Sequence, residues 1–167
     1  MMRRAALFGA AVATAIMLVR PASADELMIE ACLKAAAKAH NVPAGILYLL
    51  LDVEGGRLGE VSPNNNKTVD IGPMQVNEIW VAQIAQRWRT SSDAAYLALR
   101  DNFCANVEAG AWILRQALDE APGNLWEGVA IYHSHNTKYK LIYLKNLHAH
   151  AMRLRRRAIA RLERATP

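Results

Sequence analysis

A chain of 167 residues, 53% of them hydrophobic, is long enough to build one core without help from metals or partners. Its net charge of +5 is a poor guide to function because the signs are segregated. Residues 25–136 hold 8 Lys/Arg against 14 Asp/Glu, and residues 137–167 hold 9 against 1, so the basic excess belongs to the tail and is no argument for a nucleic-acid partner.

The chain opens as an export signal. Met1-Met2-Arg3-Arg4 is a basic start, residues 5–19 are a short apolar run, and Ala22-Ser23-Ala24 is a small-x-small cleavage site. Fifteen apolar residues are short for a membrane span, and Arg20-Pro21 after them favours cleavage over an uncleaved anchor. No later stretch is long and apolar enough to span, so no stable span is expected after cleavage. The organisation expected is a signal peptide over 1–24, one domain over 25–143 and a basic C-terminal helix over 144–167, with a periplasmic location. Cys32 and Cys104 are the two cysteines, and an even count in an exported chain reads as a disulfide worth roughly 3–5 kcal/mol. The alternative is a pair of buried free thiols.

The fold class expected is all-α. Residues 25–40 are a one-sided helix with Asp25-Glu26 at its start. Residues 43–54 form a buried central helix, opened by Pro43 and stopped by Gly55-Gly56. Residues 57–72 are a turn-rich loop around Ser62-Pro63-Asn64-Asn65-Asn66, with room for at most a small ribbon. Asn77 caps a helix to about Trp88 with Ile79, Trp80 and Ile84 inward, and Ser91 opens a short helix through Leu99. A longer helix carries Phe103, Val107, Gly110, Leu114 and Leu118 until Pro122-Gly123-Asn124 breaks it. Residues 125–133 and about 140–164 complete the set, the last with an apolar stripe of Leu144, Leu147, Ala151, Leu154, Ala158 and Leu162 that packs on the domain and leaves a solvated basic face, the alternative being an electrostatic contact of that face with anionic lipid, polymer or a secretion component.

Glu54 is the chemically informative position. It shares a helical stripe with Leu47, Leu50 and Leu51, where an acid is usually paired, neutralised or catalytic. It also ends its helix, where the dipole disfavours negative charge. Both effects raise its pKa, which suits a general acid. The structural alternative is a Glu that caps the Gly-Gly turn or pairs with Arg57. His133-x-His135 and His148-x-His150 are poor chelating pairs, because two residues apart on a helix they point roughly 200° apart, so no metal is expected. No phosphate-cradling Gly loop is present, and no cofactor is implied.

Glu54-Gly55-Gly56, then Gly72-Pro73-Met74-Gln75-Val76-Asn77, then Ala130-Ile131-Tyr132-His133-Ser134 resemble the lytic transglycosylases of goose-type lysozyme-like fold. Those enzymes carry Glu-Ser-Gly, then Gly-Leu-Met-Gln with an apolar residue and Asn, then Ala-Tyr-Asn-Ala-Gly. The resemblance covers residues 32–143. It is closest to the small secreted enzymes of conjugation, type III and type IV secretion and pilus machinery, whose two cysteines are placed as here. It implies a peptidoglycan substrate, Glu54 as the single catalytic acid, and Gly72, Met74, Gln75, Asn77 and Tyr132 around the substrate, with Tyr132 bonding near the Glu54 carboxyl. It also implies components of a secretion or conjugation machine as partners. Three departures stand out: Gly55 for Ser, Pro73 for Leu, and His133-Ser134-His135 for Asn-Ala-Gly.

One acid suffices for such an enzyme, because the substrate's own 6-hydroxyl replaces water as the attacking group. A hydrolase would need a second carboxylate. Asp52 faces elsewhere on its helix. Glu60 and Asp70 lie in or beside the loop, within reach of the cleft, but Asp70 is more simply a turn residue bonding backbone N–H groups. A hydrolytic muramidase and a non-catalytic glycan-binding scaffold are the competing readings.

Overall fold

The computed structural model describes residues 23–165, so the expected signal peptide lies outside the described residues except for Ser23 and Ala24. Those residues form α1 (Ala24–His40), α2 (Ala44–Glu54), β1 (Val61–Pro63), β2 (Val69–Ile71), β3 (Val76–Asn77), a 3-10 turn (Glu78–Trp80), α3 (Val81–Trp88), α4 (Ser92–Asp101), α5 (Phe103–Glu120), α6 (Leu125–His133) and α7 (Thr137–Ala165). The domain is mostly helical, as its periodicity predicts, with one small antiparallel sheet.

The caps lie in the sequence. Asn77, Ser91, Asn102 and Asn124 each accept a backbone N–H at the start of a helix. Ser23 and Glu26 make a reciprocal capping box on α1. Cleavage after Ala24 would remove that cap and leave Asp25 and Glu26 to favour the helix start. Gly55 ends α2 in the left-handed conformation, its N–H donating to the Leu51 carbonyl.

The sheet is larger than the ribbon expected. β2 lies between β1 and β3, with Ser62 opposite Asp70 and Asp70 opposite Asn77. The third strand is only two residues long, too short for alternation to be visible in sequence.

The helix at the centre is α5, not α2. α5 packs on α1, α4, α6 and β3, and it buries Val107, Ala109, Gly110, Ala111, Ile113, Leu114, Ala117 and Leu118. α2 packs on α1 and α7 and buries Ile46, Leu47, Leu49 and Leu50. Burying a Leu or Ile is worth about 1.5–3 kcal/mol, so both helices are held by packing rather than by propensity. Cys32 on α1 and Cys104 on α5 form a disulfide with Cα atoms 5.1 Å apart. It closes a loop of 72 residues, worth about 4 kcal/mol on the chain-entropy account. Such a bridge persists in oxidising compartments.

Two expectations need correction. Ile79 is 65% exposed rather than inward, because residues 78–80 form a 3-10 turn whose three-residue period takes Ile79 off the face of α3. α7 starts at Thr137, three residues early, because the Asn136 side chain accepts the Lys138 N–H. Only the first part of its stripe packs: Tyr143 and Leu147 are buried and Ala151 touches the core, whereas Leu154 and Leu162 are exposed. Among the described residues no helix is long and apolar enough to cross a membrane.

Candidate active site

A cleft of about 620 Å³ opens where the C-terminus of α2, the sheet, the 3-10 turn and the junction of α6 with α7 meet. Glu54, Asp70, Gln75, Asn77, Trp80, Tyr132 and His133 all line it. Glu54 reaches it because α2 ends there: the apolar stripe that buries Leu47 and Leu50 carries the last side chain of the helix to the cleft wall. No Lys or Arg lines the cleft among the described residues, so no cation holds Glu54 ionised.

Burial raises the Glu54 pKa from 4.5 to about 7; the Tyr143 hydrogen bond pulls the other way, and the charge of Asp70 adds to the rise. The Tyr143 hydroxyl donates to Glu54 Oε1 at 2.5 Å. This corrects the expectation for Tyr132, whose hydroxyl donates instead to the Met74 carbonyl at 3.0 Å. Tyr143 is brought to Glu54 by α7, which packs along α2 and is tied to it again by His150 Nδ1 at 2.8 Å from Asp52 Oδ2. Asp52 is therefore committed away from the cleft. Burial and the neighbouring Glu54 carboxyl keep the Tyr143 phenol protonated, well above its usual range. Its O–H is therefore available to donate to the Glu54 carboxylate.

Of the departures from the pattern the chain resembles, the His133-Ser134-His135 segment has specific partners in the structure. His133 lies flat on Tyr143, ring centroids 4.3 Å apart and planes within 1°. Partial burial lowers its pKa while Asp70 opposes the change, so the stacked ring is mostly neutral near pH 7. His135 pairs with Glu120 at 2.8 Å, so the two imidazoles of that segment serve different neighbours.

The turn from Gly72 to Gln75 is held from behind by a residue that sequence reading missed. Asn106, fully buried on α5, accepts the Met74 N–H at 2.7 Å and donates to the carbonyls of Ile71 and Leu99 at 2.8 and 2.9 Å. Its signal was available, since it is a polar residue on the apolar stripe between Phe103, Val107 and Gly110. Gly72 has φ +65°, and a Cβ there would lie 2.5 Å from the Asn106 amide and 2.6 Å from the Leu99 carbonyl, so no other residue fits. Gly56 is required in the same way, because a Cβ on it would lie 2.1 Å from the Gly72 carbonyl oxygen.

Gly72 and Met74 are thus behind the cleft wall rather than in it: both are buried, and neither lines the cleft. Gln75 does line it, in the left-handed conformation at φ 48°, with its amide donating to the Gly72 carbonyl at 3.0 Å. Asn77 accepts the Ile79 N–H and donates to Asp70 Oδ1 at 2.7 Å and Thr68 Oγ1 at 3.0 Å. Asp70 is accordingly not a turn residue. It sits in β2 facing Glu54's cleft, oriented by Asn77. Glu60 lies outside the cleft lining and pairs loosely with Arg57 at 3.9 Å, so Arg57 is not Glu54's partner.

A protonated carboxyl in an open cleft of mixed polar and apolar lining can donate to a bridging oxygen and then accept a proton in its charged form, which is acid–base chemistry with one group. The sequence matches the family described as the transglycosylase SLT domain over residues 31–141, two thirds of the chain. A comparison with curated proteins finds no match. The match covers α2, the sheet, the Gly72 to Gln75 turn and α6, the elements that build the groove around Glu54, and ends two residues before Tyr143. The chain therefore belongs to the transglycosylase SLT family, the lytic transglycosylases, enzymes that act on peptidoglycan.

Proposed function

We propose that this protein is exported and cleaves the β-1,4 bond between N-acetylmuramic acid and N-acetylglucosamine, leaving a 1,6-anhydromuramic end. Glu54 donates its proton to the bridging oxygen, the C1–O bond breaks, and positive charge develops at C1 of the muramic ring. The Glu54 carboxylate then takes the proton of the 6-hydroxyl as that oxygen bonds to C1. No water is consumed, and Glu54 ends protonated as it began. Gln75, Asn77 and Tyr132 form the wall against which the sugar lies, and Tyr143 holds the carboxyl in place. The observation that carries this reading is the placement of the half-buried Glu54 carboxyl at the cleft, held by Tyr143 with no Lys or Arg in the lining, where burial raises its pKa to about 7. Such a group has both protonation states within reach at neutral pH.

The biological setting proposed is the local opening of the wall for a secretion or conjugation apparatus. Its support is the resemblance to the small secreted enzymes, together with the Cys32–Cys104 bridge.

One observation favours a second reading. Asp70 lines the same cleft and raises the Glu54 pKa through its charge, so a second carboxylate is available to orient a water for hydrolysis. Mass analysis of the muropeptides released from purified sacculi separates the two. Cyclisation gives products about 18 Da lighter than hydrolysis does, without a reducing end at muramic acid. Mainly reducing products that disappear in Asp70→Asn would assign a muramidase.

A further inference from the structure

The last thirteen described residues of α7 extend about 20 Å past the packed part of the helix. Between Arg153 and Arg164 no residue is buried. Six arginines lie there, at 153, 155, 156, 157, 161 and 164, with Glu163 as the lone acid and no lysine. Among the described residues none of the six is in a salt bridge, although carboxylate partners hold Arg87, Arg100 and Arg115 elsewhere in the molecule. At about 100° per residue, Arg153, Arg156, Arg157, Arg161 and Arg164 fall within an arc of roughly 140°. Leu154, Ala158, Ile159 and Leu162 occupy the opposite side, and Leu154, Ile159 and Leu162 are 36%, 43% and 68% exposed.

We propose that this end of α7 is a docking surface for an anionic phospholipid bilayer, on which it lies parallel to the surface and tethers the catalytic domain. Three features select lipid over other anionic partners. An ionic polymer would need the arginines but not the apolar stripe, whereas an interfacial helix uses both. Guanidinium groups bind phosphate bidentately and are weakly hydrated, which suits the phosphodiester headgroup region. Arg155 interrupts the apolar side. In a dry protein seam it would be a buried unpaired charge, but at a membrane surface its long stem lets the guanidinium reach the headgroups. The domain itself is acidic between residues 25 and 136, with 8 Lys/Arg against 14 Asp/Glu, so an anionic surface repels it and attracts only the helix.

The test uses the protein exported from the full-length chain, sedimented with vesicles of phosphatidylcholine alone or mixed with phosphatidylglycerol. Binding is expected only to the mixed vesicles and should fall as salt is raised. Arg156→Gln with Arg157→Gln should weaken it by about fivefold per arginine. Leu154→Ser with Ile159→Ser, which keeps every charge, should weaken it further. Each variant should lyse soluble wall fragments at the wild-type rate, which reports an intact domain. Equal binding to both vesicle types, or none, overturns the proposal. Binding to mixed vesicles that is indifferent to Leu154→Ser with Ile159→Ser also overturns it, because the surface would then be purely ionic. Self-association abolished by Arg156→Gln without vesicle binding would assign the face to a second copy of the chain.

Discussion

Near pH 7 the Glu54 carboxyl is half protonated, and that single equilibrium links activity to stability. Its folded pKa of about 7 stands above its ordinary value of 4.5, so the neutral acid is the form the fold prefers. The stability this preference contributes is fully present below about pH 4.5 and is lost as pH rises through about 7, at about 1.4 kcal/mol for each pH unit between the two values. Glu54→Gln is neutral at every pH and escapes that loss. Denaturant titrations should show the variant more stable than wild type by about 3 kcal/mol at pH 8 and nearly equal to it at pH 4. Its wall-lytic rate should drop by roughly 10²–10⁴-fold at and below pH 7, the gap narrowing at higher pH as the wild-type acid ionises. Tyr143→Phe probes the same group from its partner's side. The Tyr143 hydrogen bond favours the carboxylate, so its removal raises the Glu54 pKa further. The alkaline limb of the pH–rate profile should move to higher pH while the maximal rate falls, because the carboxyl loses its orienting donor. A limb that stays in place would take the control of Glu54 away from Tyr143.

At the scale of elements, the groove depends on how a short irregular turn is fixed to a rigid helix. Asn106 does this by satisfying three buried backbone groups at once, the Met74 N–H and the carbonyls of Ile71 and Leu99. Asn106→Ala leaves all three without partners in the core. At about 1–3 kcal/mol for each unsatisfied buried group, partly relieved by relaxation, we expect a loss of about 3–5 kcal/mol in chemical denaturation. Activity should fall more than stability predicts, because the turn carries Gln75 into the cleft lining. The disulfide acts differently: it joins α1 to α5, neither cysteine lines the cleft, and it constrains the unfolded chain rather than the groove.

Across the whole molecule, α7 divides into two parts with separate duties. The first, through Ala151, buries Tyr143 and Leu147 and reaches Asp52 through His150. The second, from Arg153 to Arg164, contributes no buried residue. Truncation after Met152 should therefore shift the melting temperature by no more than about 2 °C and leave lysis of soluble wall fragments unchanged. Truncation before Tyr143 should abolish lysis, because Glu54 would lose its hydroxyl partner and α2 the helix that covers it. Thermal melts and turbidity assays on the two truncations check both statements.

Much of the fold was legible because its determinants are short-ranged. The Asn77 cap, the Ser91 helix start, the Gly55-Gly56 stop, the Pro122-Gly123-Asn124 break and 3.6-residue apolar periodicity placed the helices to within a few residues, and the acid on the apolar stripe of α2 stood out locally. The 76–77 strand was too short to show a period, and the 3-10 turn at 78–80 broke the period that placed Ile79. What only the tertiary structure decided depends on contacts between residues far apart in the chain. Tyr143 lies 89 positions from the carboxyl it bonds, and Asn106 lies 32 positions from the turn it holds. Nothing local distinguishes Tyr143 from Tyr132, since both are aromatic residues on apolar faces of neighbouring helices. The crossing of α7 over α2 makes one of them Glu54's partner and leaves the other on a backbone carbonyl. The same holds for Asp70: its neighbours in sequence suit a turn, and the pairing of β2 with β3 turns its carboxylate towards the cleft. Likewise, periodicity gave α7 one continuous stripe, and the finite size of the domain determined how much of it is covered.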